Sequence, residues 1–333
     1  MDSTDELLTQ RTRRAFLGHS TLGLGAMALG SLLNGQAAKR NAIDGLNDLP
    51  HFAPKAKRVI YLFQSGGPSQ LDLFDHKPHL AKRFGEEVPE SIYPAERKTT
   101  MTSGQKSFPC APSTLKFAQH GQAGTWLSDA LPHLAKRIDD VCVIKSMHTE
   151  AINHDPAAMM FQTGSVIPGR PSMGAWVSYG LGSGNANLPS FVALTSNGRG
   201  RAGQPLYDRL WGSGFLPGRF QGVKFRGQGD PILDLYNPAG VTRNQRRRML
   251  DSLNKLNQQQ ADRFDDPAIS TRIAQYELAF RMQMSVPELI DIQREPKHIL
   301  DAYGPDTTKV GTYAYNCLLA RRLAERGVRF IQL

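Results

Sequence analysis

RVIYLFQSGGPSQLDLFD, residues 58–75, decides the reading of the fold. Val59, Ile60, Tyr61, Leu62 and Phe63 form an unbroken β-branched and aromatic run, which predicts a central strand buried on both faces. Gln64 and Ser65 stand at its carboxyl end, where open α/β sheets place their ligands. Gly66, Gly67 and Pro68 then turn the backbone tightly, and Ser69, Asp72 and Asp75 add a hydroxyl and two carboxylates. The plain alternative is an ordinary strand-to-loop turn in which Ser69 and Asp72 cap a following helical turn.

Downstream, Pro78–Gly85 reads as a short helix, and residues 88–124, rich in Pro, Ser, Thr and Gly, as a long irregular excursion near a site or hanging loose. Asp129–Ile138 predicts a helix, and Val141–Ser146 a second buried strand, giving the βαβ pattern of a parallel sheet. Beyond that strand come His148, Glu150, His154 and Asp155, the densest set of potential metal ligands and acid–base groups in the chain. The spacing of the two histidines is no fixed zinc signature, and hydrogen bonding to loop backbone is the competing reading. Asp155 before Pro156 predicts a helix start, with the helix ending near Gly164. Its amino terminus would then favour an anionic group beside the glycine turn.

The remaining elements follow from capping and periodicity. Ser172–Gly182 predicts a helix and Phe191–Thr195 a third strand, followed by a basic, loop-dominated insertion over about residues 197–240. Thr242 with Gln245 makes a capping box for a helix whose face carries Met249, Leu250, Leu253 and Leu256, read as packing surface. A second helix starts at Asp266-Pro267 and carries Ile269, Ile273, Tyr276 and Phe280. Gly311–Arg326 is a helix stopped by Gly327, and Val328–Leu333 opens an apolar strand at which the sequence stops, so that part of the sheet is expected to be absent.

Composition narrows the class. With 333 residues the chain has material for a sizeable core, and no bias towards disorder is present. The net charge is +10, and residues 199–248 hold an excess of +7. That excess would attract polyanions, yet it lacks interleaved aromatics or a nucleic-acid motif, so nucleic acid is not expected as a partner and a solvated basic surface is favoured. Cys110, Cys142 and Cys317 are too scattered for a disulfide framework or a metal site; Cys142 falls in the second predicted strand and Cys317 in a helix.

The amino terminus carries a targeting pattern. Arg13-Arg14 within Thr12–Leu17, then the 14-residue apolar stretch Ser20–Leu33, match a twin-arginine export signal too short for a stable membrane span. Gly35, Ala37 and Ala38 offer a cleavage region. Residues 1–38 are therefore read as a signal segment engaging the twin-arginine translocation machinery, 39–57 as a linker and 58–333 as one domain, with a retained amphipathic helix as the alternative for the first segment. The expected location is the periplasm or another exported compartment.

Three stretches, GGPSQLDLFDHKP (66–78), MHTEAINHDPAAMMFQTG (147–164) and LLARRLAERGVRFIQL (318–333), together resemble the exported bacterial family known as domain of unknown function 1501, abundant in planctomycetes and distantly similar to sulfatases and alkaline phosphatases. The resemblance runs from about Lys57 to Leu333. It implies an alkaline-phosphatase-like three-layer α/β/α sandwich with a mostly parallel sheet, and metal-dependent ester hydrolysis as a superfamily tendency. Family members continue into a His- and Asp-rich half that supplies further metal ligands.

The sequence departs from the sulfatase pattern at two places. Where sulfatases carry their nucleophile motif this chain has His154-Asp155-Pro156-Ala157-Ala158, with Ala158 in place of the motif's arginine, and Gln64-Ser65 replaces a metal-holding acidic pair. The resemblance then leaves Ser69 and His154 as catalytic candidates, Ser65, Gly66 and Gly67 as anion-binding groups, and Asp72, His148 and Asp155 as ligands for a divalent metal. Two functions stay open: an exported hydrolase of sulfate or phosphate esters, acting on an anionic small molecule or polysaccharide, and a non-catalytic envelope protein binding a glycan, anion or protein through the same cleft.

Overall fold

A computed structural model describes residues 45–46, 49–92, 102–196, 208–226, 232, 235–264 and 267–333. The twin-arginine segment and, within the basic insertion, residues 197–207, 227–231 and 233–234 lie outside the described residues. In chain order the first elements are β1 (Val59–Tyr61), α1 (Gln70–Leu73), α2 (His79–Lys82), β2 (Phe117–His120), β3 (Thr125–Ser128), α3 (Pro132–Ala135), α4 (His154–Thr163) and α5 (Met173–Leu181). They are followed by β4 (Phe191–Leu194), β5 (Val223–Phe225), α6 (Arg243–Phe264), α7 (Pro267–Ile290), α8 (Lys297–Tyr303), α9 (Tyr313–Glu325) and β6 (Phe330–Gln332). The chain divides into two compact units, one of residues 1–62, 171–197 and 211–333, the other of residues 63–170 and 198–210.

The first unit is built on a four-stranded sheet in the order β1-β6-β4-β5, every pair parallel. Its two inner strands are short and wholly apolar apart from Gln332, and both are fully buried, as a parallel sheet covered on both faces demands. Side-chain alternation divides the covering. Val192, Leu194 and Ile331 join Met282, Val286 and Leu289 of α7 and Leu318, Leu319 and Leu323 of α9 in the main core. On the opposite face Phe191 meets Phe330 edge-on at 5.2 Å between ring centroids. α5 crosses directly above that pair: a Cβ on Gly174 would lie 2.7 Å from the Phe191 ring, so only glycine allows this approach. The result is a helix–sheet–helix arrangement, a mixed α/β fold with a parallel sheet as expected.

Helix ends in this unit follow their sequence signals. Thr242 and Gln245 cap α6 reciprocally, the Gln245 amide oxygen accepting from the Thr242 backbone N–H at 2.8 Å and the Thr242 hydroxyl accepting from Gln245 N–H at 3.3 Å. α5 runs from a Ser172 cap to Gly182, and α9 from Thr312, whose hydroxyl accepts from Tyr315 N–H. The buried Arg322 guanidinium closes the far end of α7 by donating to the carbonyls of Leu289, Glu288 and Asp291 at 2.8, 2.8 and 3.0 Å. It also meets Glu295 at 2.5 Å. Helix carbonyls that have no partner inside the helix are thus satisfied by one cation.

Three expectations are corrected. Among the described residues β1 is an edge strand, with β6 as its one neighbour in the sheet, and Val59, Ile60 and Leu62 are exposed. An apolar run records affinity for a pleated surface, whereas burial is settled by which strands flank it. Val141–Ser146 forms no strand; Val141 and Ile144 are exposed, Cys142 with them, and the helix before it shrinks to α3 plus a single turn at Ile138–Asp140. The apolar run there lacks a pairing partner among the described residues, so its backbone is not drawn into a ladder. On α6 only Leu250 of the predicted stripe is buried, while Met249, Leu253 and Leu256 face outwards.

The second unit holds α1 to α4 and a two-stranded antiparallel hairpin, β2–β3, within and just beyond the stretch expected to be irregular. Its loop, His120 to Thr125, turns through Gly121 and Gly124, both with positive φ. The Asp139 carboxylate accepts from the Gln122 N–H at 2.9 and 3.0 Å, tying that loop to the turn after α3.

Candidate functional site

The glycine turn opens the second unit. Gly66 and Gly67 take φ of 93° and 67°, two successive left-handed residues that reverse the chain after Phe63-Gln64-Ser65. A side chain would oppose this turn on both steric and conformational grounds at Gly67, where a Cβ would stand 3.3 Å from Cε1 and 3.5 Å from Nδ1 of His154. The two stretches singled out in the sequence therefore meet, and they meet at the imidazole.

α4 starts two residues earlier than its Asp-Pro signal predicts. Asn153 is the cap, His154 the first helical residue, and Asp155 lies in the first turn, while Gly164 ends the helix at φ 71° as expected. Asp155 is not left to a metal ion: both its oxygens accept from one guanidinium nitrogen of Arg209, at 2.7 and 2.6 Å. The pair is partly exposed, and its worth in stability is correspondingly small, about 1 kcal/mol or less. Its more useful effect is to neutralise a carboxylate that would otherwise repel anions from the helix terminus.

Between the turn and the helix lies an open pocket of ≈ 180 Å³. One wall is apolar, made by Phe63, Phe161 and Leu210, with the two phenyl rings 6.2 Å apart and tilted. The other presents Ser65, Thr149 and His154 together with the Gly66-Gly67 backbone. Hydroxyls, an imidazole and backbone amides at a turn and a helix start make a rim that can donate to an oxyanion or a sugar hydroxyl. The phenyl wall suits the apolar face of a ring.

The remaining expected residues stand off this pocket. Ser69 stands at the N-cap position of α1 without a side-chain capping bond, and hydrogen bonds from Ser113, the larger influence, and Ser69 hold the Asp72 pKa below its ordinary value. A carboxylate so stabilised is a poor base for Ser69. His148 is exposed and faces Glu150, Nε2 to Oε1 at 3.7 Å. Asp72, His148 and Asp155 do not share one coordination sphere: only Asp155 lines the pocket, and its oxygens serve Arg209. Among the described residues no group of three or more His, Cys, Asp or Glu gathers to hold a metal ion. No described helix is long and apolar enough to cross a membrane.

Arg209, Thr149, Phe161 and Leu210 escape a reading of motifs. Arg209 is 54 residues from its partner, and in sequence it is one of ten basic residues in a charged stretch. Phe161 alone had a usable signal, since it lies two turns along the helix from His154 and thus on the same face. A family described as protein of unknown function (DUF1501) matches residues 56–333. No curated protein and no solved structure matches the chain.

Proposed function

The chain belongs to the DUF1501 family of proteins of unknown function, and from that premise we propose that it is an exported binding protein whose pocket at Phe63–Gly67 and His154–Phe161 takes a small anionic or hydroxylated ligand, a sulfate or phosphate ester or a glycan unit. One observation carries this reading: the glycine turn and the first residue of α4 close on each other, so that a Cβ on Gly67 would stand 3.3 Å from the His154 imidazole. The ligand's charged or hydroxylated edge would rest on the Gly66-Gly67 backbone, His154 and Ser65, and its ring on Phe63 and Phe161. Binding is favoured over hydrolysis because the acidic group nearest the pocket is committed to Arg209 and Ser69 is committed to Asp72.

An alkaline-phosphatase-like architecture and export by the twin-arginine machinery complete the proposal. The first draws support from the parallel sheet covered by helices on both faces, the second from Arg13-Arg14 ahead of an apolar segment. Replacing both arginines by lysine should hold the precursor in the cytoplasm, read by fractionation; unchanged delivery would sink the export assignment.

Calorimetric titration of the full chain with phosphate and sulfate monoesters tests the pocket. Binding is expected, and it should weaken about tenfold in His154→Ala. Wild-type chain that binds none of these esters, or a variant that binds as well, would overturn the reading. Turnover of nitrophenyl sulfate or phosphate that requires added divalent metal would replace it with hydrolysis.

A further inference from the structure

The stripe on α6 that the sequence presents as packing surface is left open by the fold. Met249, Leu253 and Leu256 recur at i, i+4 and i+7 and so share one side of the helix, where they stay 57%, 39% and 59% exposed. The side that meets α7 is a different one: it buries Leu250 and Asn257 and sends Arg247 and Asn254 to Glu277. A run of outward Met and Leu on a surface helix marks an interaction site. Its charge says with what. Over 22 residues α6 carries six Arg or Lys against two Asp, an excess of +4. Both carboxylates stand roughly opposite the stripe and are engaged within the helix, Asp251 with Arg247 and Asp262 with the Gln258 amide. Arg246, Arg248 and Lys255, by contrast, make no ion pair among the described residues.

Arg248 and Lys255 are exposed, and each comes one residue before a member of the stripe, about 100° round the helix from it. Their aliphatic stems can follow an apolar surface while the charged heads reach a polar layer. We propose that α6 docks the chain on a bilayer surface rich in anionic phospholipid, with Met249, Leu253 and Leu256 entering the boundary of headgroups and acyl chains and Arg246, Arg248 and Lys255 among the phosphates. The helix lies on the surface rather than crossing it, because six cations in 22 residues exclude a span. Stripe-to-stripe pairing of two copies is disfavoured, since it would bring the same unpaired cations together.

Vesicles of phosphatidylcholine alone and of an equal mixture with phosphatidylglycerol are the probes, pelleted with the full chain. Residues 20–33 are apolar in their own right, so the readout is the difference between wild type and variants that alter α6 alone. Wild type should bind the mixed vesicles more tightly than phosphatidylcholine, and less so as salt rises. Arg248→Gln/Lys255→Gln should weaken binding to the mixed vesicles about tenfold. Leu253→Gln/Leu256→Gln should weaken it about tenfold as well, while leaving the thermal midpoint of the lipid-free chain unchanged, since neither side chain is buried. Emission of Leu256→Trp should be quenched by brominated acyl chains beyond the quenching seen in wild type. Double variants that bind as wild type does, a midpoint lowered by Leu253→Gln/Leu256→Gln, no added quenching in Leu256→Trp, or a concentration-dependent dimer that Leu253→Gln/Leu256→Gln abolishes would each overturn the proposal, the last by assigning the stripe to a second copy.

Discussion

Gly66 and Gly67 look alike in sequence and differ in what stands in front of them. Alanine at Gly66 meets nothing within 4 Å and pays only for a left-handed backbone, about 1 kcal/mol. Alanine at Gly67 carries the same conformational cost and also presses on the His154 imidazole. Gly67→Ala is therefore expected to destabilise more than Gly66→Ala, and His154→Ala on the Gly67→Ala background should recover the difference, a coupling of about 0.5 kcal/mol or more by urea denaturation. Equal costs with no coupling would show that the imidazole does not stand against the turn. The same comparison explains how much of the site was legible: Ser65, Gly66, Gly67, His154 and Asp155 announce themselves as polar and glycine residues beyond apolar runs, and all five line the pocket. Ser69, Asp72 and His148 announce themselves in the same way and do not, because composition near a turn fixes proximity in the chain and not the direction of a side chain.

At the scale of elements, interactions within a few residues were readable and those across the fold were not. The Thr242–Gln245 box is a four-residue signal and forms as read. Thr242→Ala should cost about 1 kcal/mol, seen as a small drop in the urea midpoint. The other end of the α6–α7 region is secured by Arg322, which reaches back 33 residues to Leu289 and is 5% exposed. Arg322→Met leaves three carbonyls without their donor and Glu295 with Arg321 alone, and should cost about 3 kcal/mol, whereas Thr242→Ala removes only a solvated cap. Comparable losses from the two would mean that Arg322 is not the closure of α7. The same distinction separates the strands. Among the described residues β4 and β6 are apolar runs that other elements cover, β1 is an apolar run with one neighbour, and residues 141–146 are an apolar run with none. The hairpin at 117–128 did carry a local sign, two four-residue runs around Gly-x-x-Gly, hidden by the Pro- and Ser-rich residues before it.

For the whole molecule, partly buried ion pairs and phenols set a pH window for stability. Glu277 is held below its ordinary pKa chiefly by hydrogen bonds from Arg247. For Glu295 burial is the largest influence and acts upwards, but the hydrogen bonds and charges of Arg321 and Arg322 together outweigh it. A carboxyl whose pKa is lower in the folded state contributes stability above its unfolded pKa, about 4.3, and loses it as pH falls towards the folded value. The alkaline limit comes from groups shifted the other way. Burial raises Tyr61, Tyr303 and Tyr315, raises Tyr313 to about 12, and raises the Cys317 thiol. Their protonated forms are favoured in the fold, so the stability they contribute is complete below the unfolded pKa and declines as pH rises past it, from about 8.5 for the thiol and about 10 for the phenols. Urea midpoints should therefore be level from about pH 5 to 8 and fall on both sides. Tyr61→Phe/Tyr313→Phe should flatten the alkaline limb and leave the acid limb alone, while Glu277→Gln/Glu295→Gln should lower stability at neutral pH and flatten only the acid limb. Limbs that keep their slopes in both double variants would show that the titrating groups lie elsewhere in the chain.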